Sequence, residues 1–192
     1  MNLLVLGPQG AGKGTQAQRI AADYALSHIS TGDMFRAAIA EGSELGQAVE
    51  PILAKGGLVP DDVTIELIRD RLGREDARRG FILDGFPRTL AQAEALEAML
   101  AQIGRRLDAV LFFDIPDGVA TERLLERGGR EGRSDDEPGA IARRLATYHH
   151  QTKPLVERYR LDGLLVPLRA ERTIPEVYAQ VQEALEGLER VP

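Results

Sequence analysis

Short, continuous apolar runs alternate along this chain with segments of helical period. Leu3-Leu4-Val5-Leu6, Phe81-Ile82-Leu83, Ala109-Val110-Leu111-Phe112-Phe113 and Leu164-Leu165-Val166-Pro167-Leu168 are four such runs. Each is too short for a helix and lacks the alternation of a half-exposed strand, so each reads as a strand buried on both faces. Leu26 to Ser30 reads as a shorter fifth strand. Between them, helices are predicted from Gln16 to Ala21, from about Ser30 to Gly42, and over 44–55, 63–72 and 89–103. Others follow over 117–125, 138–159 and 175–188. In the 89–103 helix, Leu90, Ala93, Leu96, Met99 and Leu100 recur at helical spacing. Strand–helix alternation of this kind predicts an α/β fold, a five-stranded parallel sheet with helices on both faces. Residues 30–59 hold more helix than one crossover needs and read as an inserted flap. Thr31 or Asp33 is the expected cap of its first helix, and Asp117 of the helix after the fourth strand.

The first strand runs into Gly7-Pro8-Gln9-Gly10-Ala11-Gly12-Lys13-Gly14-Thr15. Strand, glycine loop and helix form the context of a phosphate-binding loop. Glycines let backbone N–H groups turn around an anion, and the new helix aims its positive end there. Lys13 adds a mobile cation. The general pattern has Ser or Thr directly after the lysine, whereas here Gly14 intervenes before Thr15. The second apolar run, Phe81-Ile82-Leu83, leads into Asp84-Gly85-Phe86-Pro87-Arg88, at the strand end where open α/β sheets place ligands. Arg36, Arg88, Arg127, Arg133 and Arg144 lie beside glycines or at element ends. Arginine suits bidentate grip on phosphate oxygens, and several around one loop point to two phosphate-bearing ligands.

Composition narrows the classes. The 192 residues fit one domain with small insertions. Cysteine is absent, which excludes disulfides and thiolate metal sites. No apolar run reaches membrane-spanning length, and no secretory leader is evident, so a cytoplasmic protein is expected. The net charge of −6 argues against general nucleic-acid binding. Lys13, Lys55 and Lys153 are the only lysines among 24 basic residues, so an arginine is informative only within a motif. Asn2 is the only asparagine, which excludes the Asn-Lys-x-Asp guanine reader of a switch GTPase.

Taken together, Gly7–Thr15, Thr31-Gly32-Asp33-Met34-Phe35-Arg36, Asp84–Arg88 with Gln92, and Arg127 with Arg133-Ser134-Asp135-Asp136 and Arg144 resemble adenylate kinase in its short-lid form. The resemblance implies the P-loop NTPase fold and the reaction of Mg-ATP with AMP to give two ADP. It implies a core of residues 1–29, 60–125 and 137–192, a monophosphate-binding segment over 30–59 and a lid over 126–136. By it, Gly10, Ala11, Gly12, Lys13, Gly14 and Thr15, with Arg127 and Arg172, would hold ATP. Thr31, Arg36, Gly57, Leu58, Val59, Gly85, Phe86, Pro87, Arg88 and Gln92 would hold AMP, with Arg133 and Arg144 bridging the reacting phosphates. Lys13, Arg88, Arg133, Arg144 and Asp84 would be the catalytic set. Mg²⁺ would sit mainly on phosphates and water, with Asp84 and Asp33 orienting the waters. The Phe86-Pro87 bond is expected to be cis, the protein monomeric, and the lid free of zinc.

In the family pattern Thr31 and Gln92 fit adenine, so the resemblance implies AMP over the pyrimidine of a UMP/CMP kinase. Gln9 stands where the family often has proline. Arg143 competes with Arg144 for the reaching role, since adjacent helical residues point about 100° apart. His149 and His150 read as surface or packing residues, and Asp135-Asp136 as charge at a helix start that latches arginines.

Overall fold

The computed structural model describes residues 1–132 and 134–189, without the side chains of Ser134 and Glu189. The strands are β1 (Asn2–Leu6), β2 (Ser27–Ser30), β3 (Phe81–Asp84), β4 (Ala109–Asp114) and β5 (Leu165–Arg169). They form one parallel sheet in the order β2-β3-β1-β4-β5. The helices are α1 (Lys13–Asp23), α2 (Thr31–Ala40), α3 (Glu44–Ala54), α4 (Asp61–Leu72) and α5 (Leu90–Gln102). They continue with α6 (Asp117–Glu131), α7 (Pro138–Thr147), α8 (Pro154–Leu161) and α9 (Ile174–Glu189).

Side chains alternate across a strand, so the unbroken apolar run of β1 serves two cores. Leu3 and Val5 pack with Ile20 of α1 and Val177, Val181 and Leu185 of α9. Leu4 and Leu6 pack on the opposite face with Ile68 of α4, Leu96 of α5 and Tyr159 of α8. The central position of β1 delivers the glycine loop to the middle of the sheet's carboxyl edge. The α2–α3 excursion has its own small core of Phe35, Val49 and Val59, and α6 packs on α7 through Leu124, Ile141 and Leu145.

Several predicted boundaries are corrected. Ser30, the last residue of β2, caps α2 by accepting from the Asp33 N–H at 3.2 Å, in place of Thr31 or Asp33. Asp117 is the first residue of α6 rather than its cap, which is Pro116. The polar stretch from Arg127 is not a loop at its start, because α6 continues to Glu131. Gly128 there lies against Asp136, where a Cβ would come within 3.0 Å of the aspartate Cβ. The helix predicted over 138–159 is interrupted by a π-helical turn, Tyr148–Thr152, between α7 and α8.

Candidate functional site

A cleft of about 620 Å³ opens at the carboxyl ends of β1 and β3. Its floor is the glycine loop. Among the described residues, no side chain caps the first turn of α1 and no acid of its own stands in that turn, so the positive end of the helix faces the cleft. Lys13 folds back, and its Nζ donates to the carbonyls of Gly7 and Pro8 at 2.8 and 2.7 Å. Asp84, from the end of β3, stands over Gly14: a Cβ there would lie 3.3 Å from Asp84 Oδ2. A serine following Lys13 would bring its Cβ into tight contact with that carboxylate.

The cleft is crowded with charge. Burial would raise the pKa of Asp84, but the facing His28, Lys13 and Arg88 hold it below its ordinary value. His28 Nε2 lies 3.8 Å away, beyond hydrogen-bond distance. Burial lowers the pKa of Arg88, and Arg144 lowers it further by repulsion. Burial likewise lowers that of Arg144, against the pull of Asp135 and Asp136. For Arg127 the bonds to Asp136 outweigh burial and the pKa rises.

Arg127 grips Asp136 with two bonds of 2.7 and 2.8 Å. Arg144 donates to the same carboxylate at 2.8 Å and to the Asp135 carbonyl at 2.9 Å. The Asp136 side chain is fully buried between the two arginines. Arg144 lines the cleft, whereas Arg143 turns away and donates to the Lys55 carbonyl at 2.6 Å, joining α7 to the end of the α3 segment. Arg133 lies outside the described residues.

Lys13 is pushed down to about 8 from 10.5, chiefly by burial, with Asp84 opposing and the neighbouring arginines adding to it. The unfolded chain therefore binds more protons between those two values. Below about pH 8 the buried ammonium weighs fully against folding, and that burden is relieved as pH rises toward 10.5. Wild type is expected to gain stability relative to Lys13→Met as pH is raised through this window. Urea denaturation of both proteins at pH 7 and 10 tests this; a pH-independent difference would contradict it.

The second half of the cleft lies under α2. Arg88 Nε donates to the Gly85 carbonyl at 2.8 Å, and the Arg88 carbonyl accepts from Thr152 Oγ1 at 2.9 Å, in the π-helical turn. The Phe86-Pro87 bond is cis, as anticipated. Thr31 Oγ1 donates to the Gly85 carbonyl at 3.0 Å. A small adjoining cavity gathers Thr31, Gly57, Leu58, Val59, Arg88 and Gln92. Arg36 lines the main cleft and pairs with Asp33, both well exposed. Phe86 is buried in the core rather than lining either cavity. Arg172 borders the main cleft, with its guanidinium 4.0 Å from Glu176.

Over residues 5–164 the chain matches the family model for adenylate kinase. The chain belongs to the adenylate kinase family. It is 47% identical to an adenylate kinase of Parvibaculum lavamentivorans over 96% of this chain and 92% of that one. It is 48% identical to one from Caulobacter vibrioides over 97% of both chains. A third, from Thermobifida fusca, is 46% identical over 97% of this chain and 99% of that one.

Several residues around this adenylate kinase cleft escape a reading by motif. Arg123 lines it and donates to the carbonyls of Ala170 and Glu171 at 2.9 and 3.1 Å, tying α6 to the loop after β5. Arg130 borders the cleft too. Asp61 and Thr152 hold site residues from behind. His149 pairs with Asp117 Oδ2 at 2.7 Å across 32 residues. No local signal marks any of these, since each partner is distant in sequence. Among the described residues no group of three or more His, Cys, Asp or Glu could hold a metal ion, and no helix is long and apolar enough to cross a membrane.

Proposed function

We propose that this protein transfers the γ-phosphoryl group of Mg-ATP directly to AMP, giving two ADP. The observation that carries the reading is one cleft joining the lysine-bearing glycine loop to a second cationic pocket around Arg88. An AMP phosphate oxygen attacks Pγ in line, the bond from Pγ to the β,γ-bridging oxygen breaks, and the electron pair leaves on ADP. The attacking oxygen is already anionic near pH 7, so no general base or covalent intermediate is needed. Catalysis then consists of alignment and charge stabilisation.

In this reading Gly10 to Thr15, Arg127 and Arg172 hold ATP. Thr31, Arg36, the Gly57–Val59 backbone, the turn from Gly85 to Arg88 and Gln92 hold AMP. Lys13, Arg88 and Arg144, with Arg133, stabilise the group in flight. The mutual repulsion of half-buried Arg88, Arg144 and Lys13 supports these roles, because a bound polyanion relieves it. The ionised Asp84 carboxylate in the cleft suits a hard cation's hydration shell. Asp84, aided by Asp33, would orient waters on Mg²⁺, which when bound neutralises charge on the β- and γ-phosphates.

Residues 30–59 act as the monophosphate flap, which their separate core supports, and 126–136 as the lid. The remainder forms the core domain. The same reading makes the protein a monomeric cytoplasmic enzyme of adenine nucleotide balance, acting on ATP, AMP and ADP and on no nucleic acid or membrane. ADP formation from Mg-ATP offered AMP, CMP, UMP, GMP or dTMP in parallel is the test. Rapid turnover with AMP is expected. Faster turnover with CMP or UMP would overturn the base assignment, and none with any acceptor would overturn the enzyme reading.

A further inference from the structure

Gln92 is buried, and both ends of its carboxamide are held. Its Oε1 accepts from the Arg88 backbone N–H at 2.7 Å, and its Nε2 donates to Asp61 Oδ1 at 2.7 Å. The other oxygen of Asp61 accepts from Thr89 Oγ1 at 3.0 Å. Thr89 Oγ1 in turn accepts from the Gln92 N–H at 3.2 Å, capping α5. Asp61, the first residue of α4, thus grips both the cap of α5 and the side chain of Gln92.

These partners leave no freedom in the amide. A backbone N–H can only donate and a carboxylate can only accept. The oxygen of Gln92 must face Arg88, and its nitrogen must face Asp61. One lone pair and one N–H remain for the small cavity that Gln92 lines with Thr31, Val59 and Gly85. An acceptor beside a donor complements a base edge that offers an amino group beside a ring nitrogen, as a 6-aminopurine does. A 6-oxopurine offers a carbonyl acceptor in place of that amino donor. Turning the amide over to suit it would set donor against donor at Arg88 and acceptor against acceptor at Asp61.

We infer that Asp61 is a positioning residue that locks Gln92 in the orientation selecting 6-amino over 6-oxo purine monophosphates. The inference rests on the proposal that Gln92 contacts the base of the acceptor. The full-length protein and its Asp61→Ala and Asp61→Asn variants are to be assayed with Mg-ATP and either AMP or IMP. Without the carboxylate, the amide keeps only the Arg88 bond. The AMP-to-IMP ratio of kcat/KM should then fall about tenfold in Asp61→Ala, the equivalent of one hydrogen bond. The change should appear mainly in KM for AMP, with KM for ATP unmoved. Asp61→Asn retains an oxygen for Gln92 Nε2 and should restore most of the ratio.

An unchanged ratio in Asp61→Ala, even with a lowered melting temperature, would make Asp61 only a tie between α4 and α5 and overturn the inference. A wild-type protein that uses IMP as well as AMP would instead remove Gln92 from base selection, and the inference with it.

Discussion

Arg88→Ala is expected to lower turnover with Mg-ATP and AMP at least 100-fold, on the order of the loss of one strong transition-state donor. The fold should survive. The backbone of Arg88 is held without its side chain, by Gln92 at its N–H and Thr152 at its carbonyl. The core beneath it is built by Leu83 and Phe86. The guanidinium itself is held in place by the Gly85 carbonyl, while burial and Arg144 disfavour its charge. Removing it therefore relieves repulsion in the free protein and, in the proposed mechanism, takes away stabilisation where phosphate charge would develop. Arg88→Lys keeps a charge but loses the planar fork, and should recover only part of the rate. Turnover, together with thermal melting of all three proteins, separates the two effects. Near-normal turnover in Arg88→Ala would remove this residue from the mechanism.

Gly10→Ala should be comparably damaging, for a different reason. Gly10 has φ +81°, and a Cβ there would lie 2.5 Å from the Ala120 carbonyl oxygen and 3.1 Å from its Cα. That obstacle is backbone in the first turns of α6; Ala120 is fully buried and its N–H is bonded to the Pro116 carbonyl at 3.0 Å. The glycine loop must therefore move. A displacement of about 1 Å in a positioning element costs on the order of 100-fold in rate, and forced overpacking costs about 1–3 kcal/mol. Gly12→Ala is the control. Its φ is +82°, but nothing lies within 4 Å of the added methyl, so only the left-handed strain of about 1–2 kcal/mol remains. Urea denaturation should rank the stability of Gly10→Ala well below that of Gly12→Ala. Equal effects would mean that conformation alone, and not the approach of α6, demands glycine at position 10.

The inner strands β1, β3 and β4 were legible because they lie buried on both faces, and a doubly buried strand must be apolar throughout; β5, read as buried, is a half-exposed edge strand like β2. The glycine loop was legible because its backbone demands a residue type that little else demands. Errors cluster where a distant partner overrides a local preference. Gly128 and Gly129 look like a loop, yet α6 runs through them with Arg127 anchored to Asp136 and Gly128 packed against it. Ser30 is both the last residue of β2 and, through its hydroxyl on the Asp33 N–H, the cap of α2.

The linear order of residues thus determines the sheet, the loop chemistry and the family, since these rest on periodicity, backbone freedom and short motifs, all local properties. Convergence belongs to the folded chain. Asp61 meets Gln92, Arg123 meets the loop after β5, and Arg144 rather than Arg143 enters the cleft. Those outcomes depend on how separate helices are oriented over the sheet. Packing sets that orientation, and no local pattern encodes it.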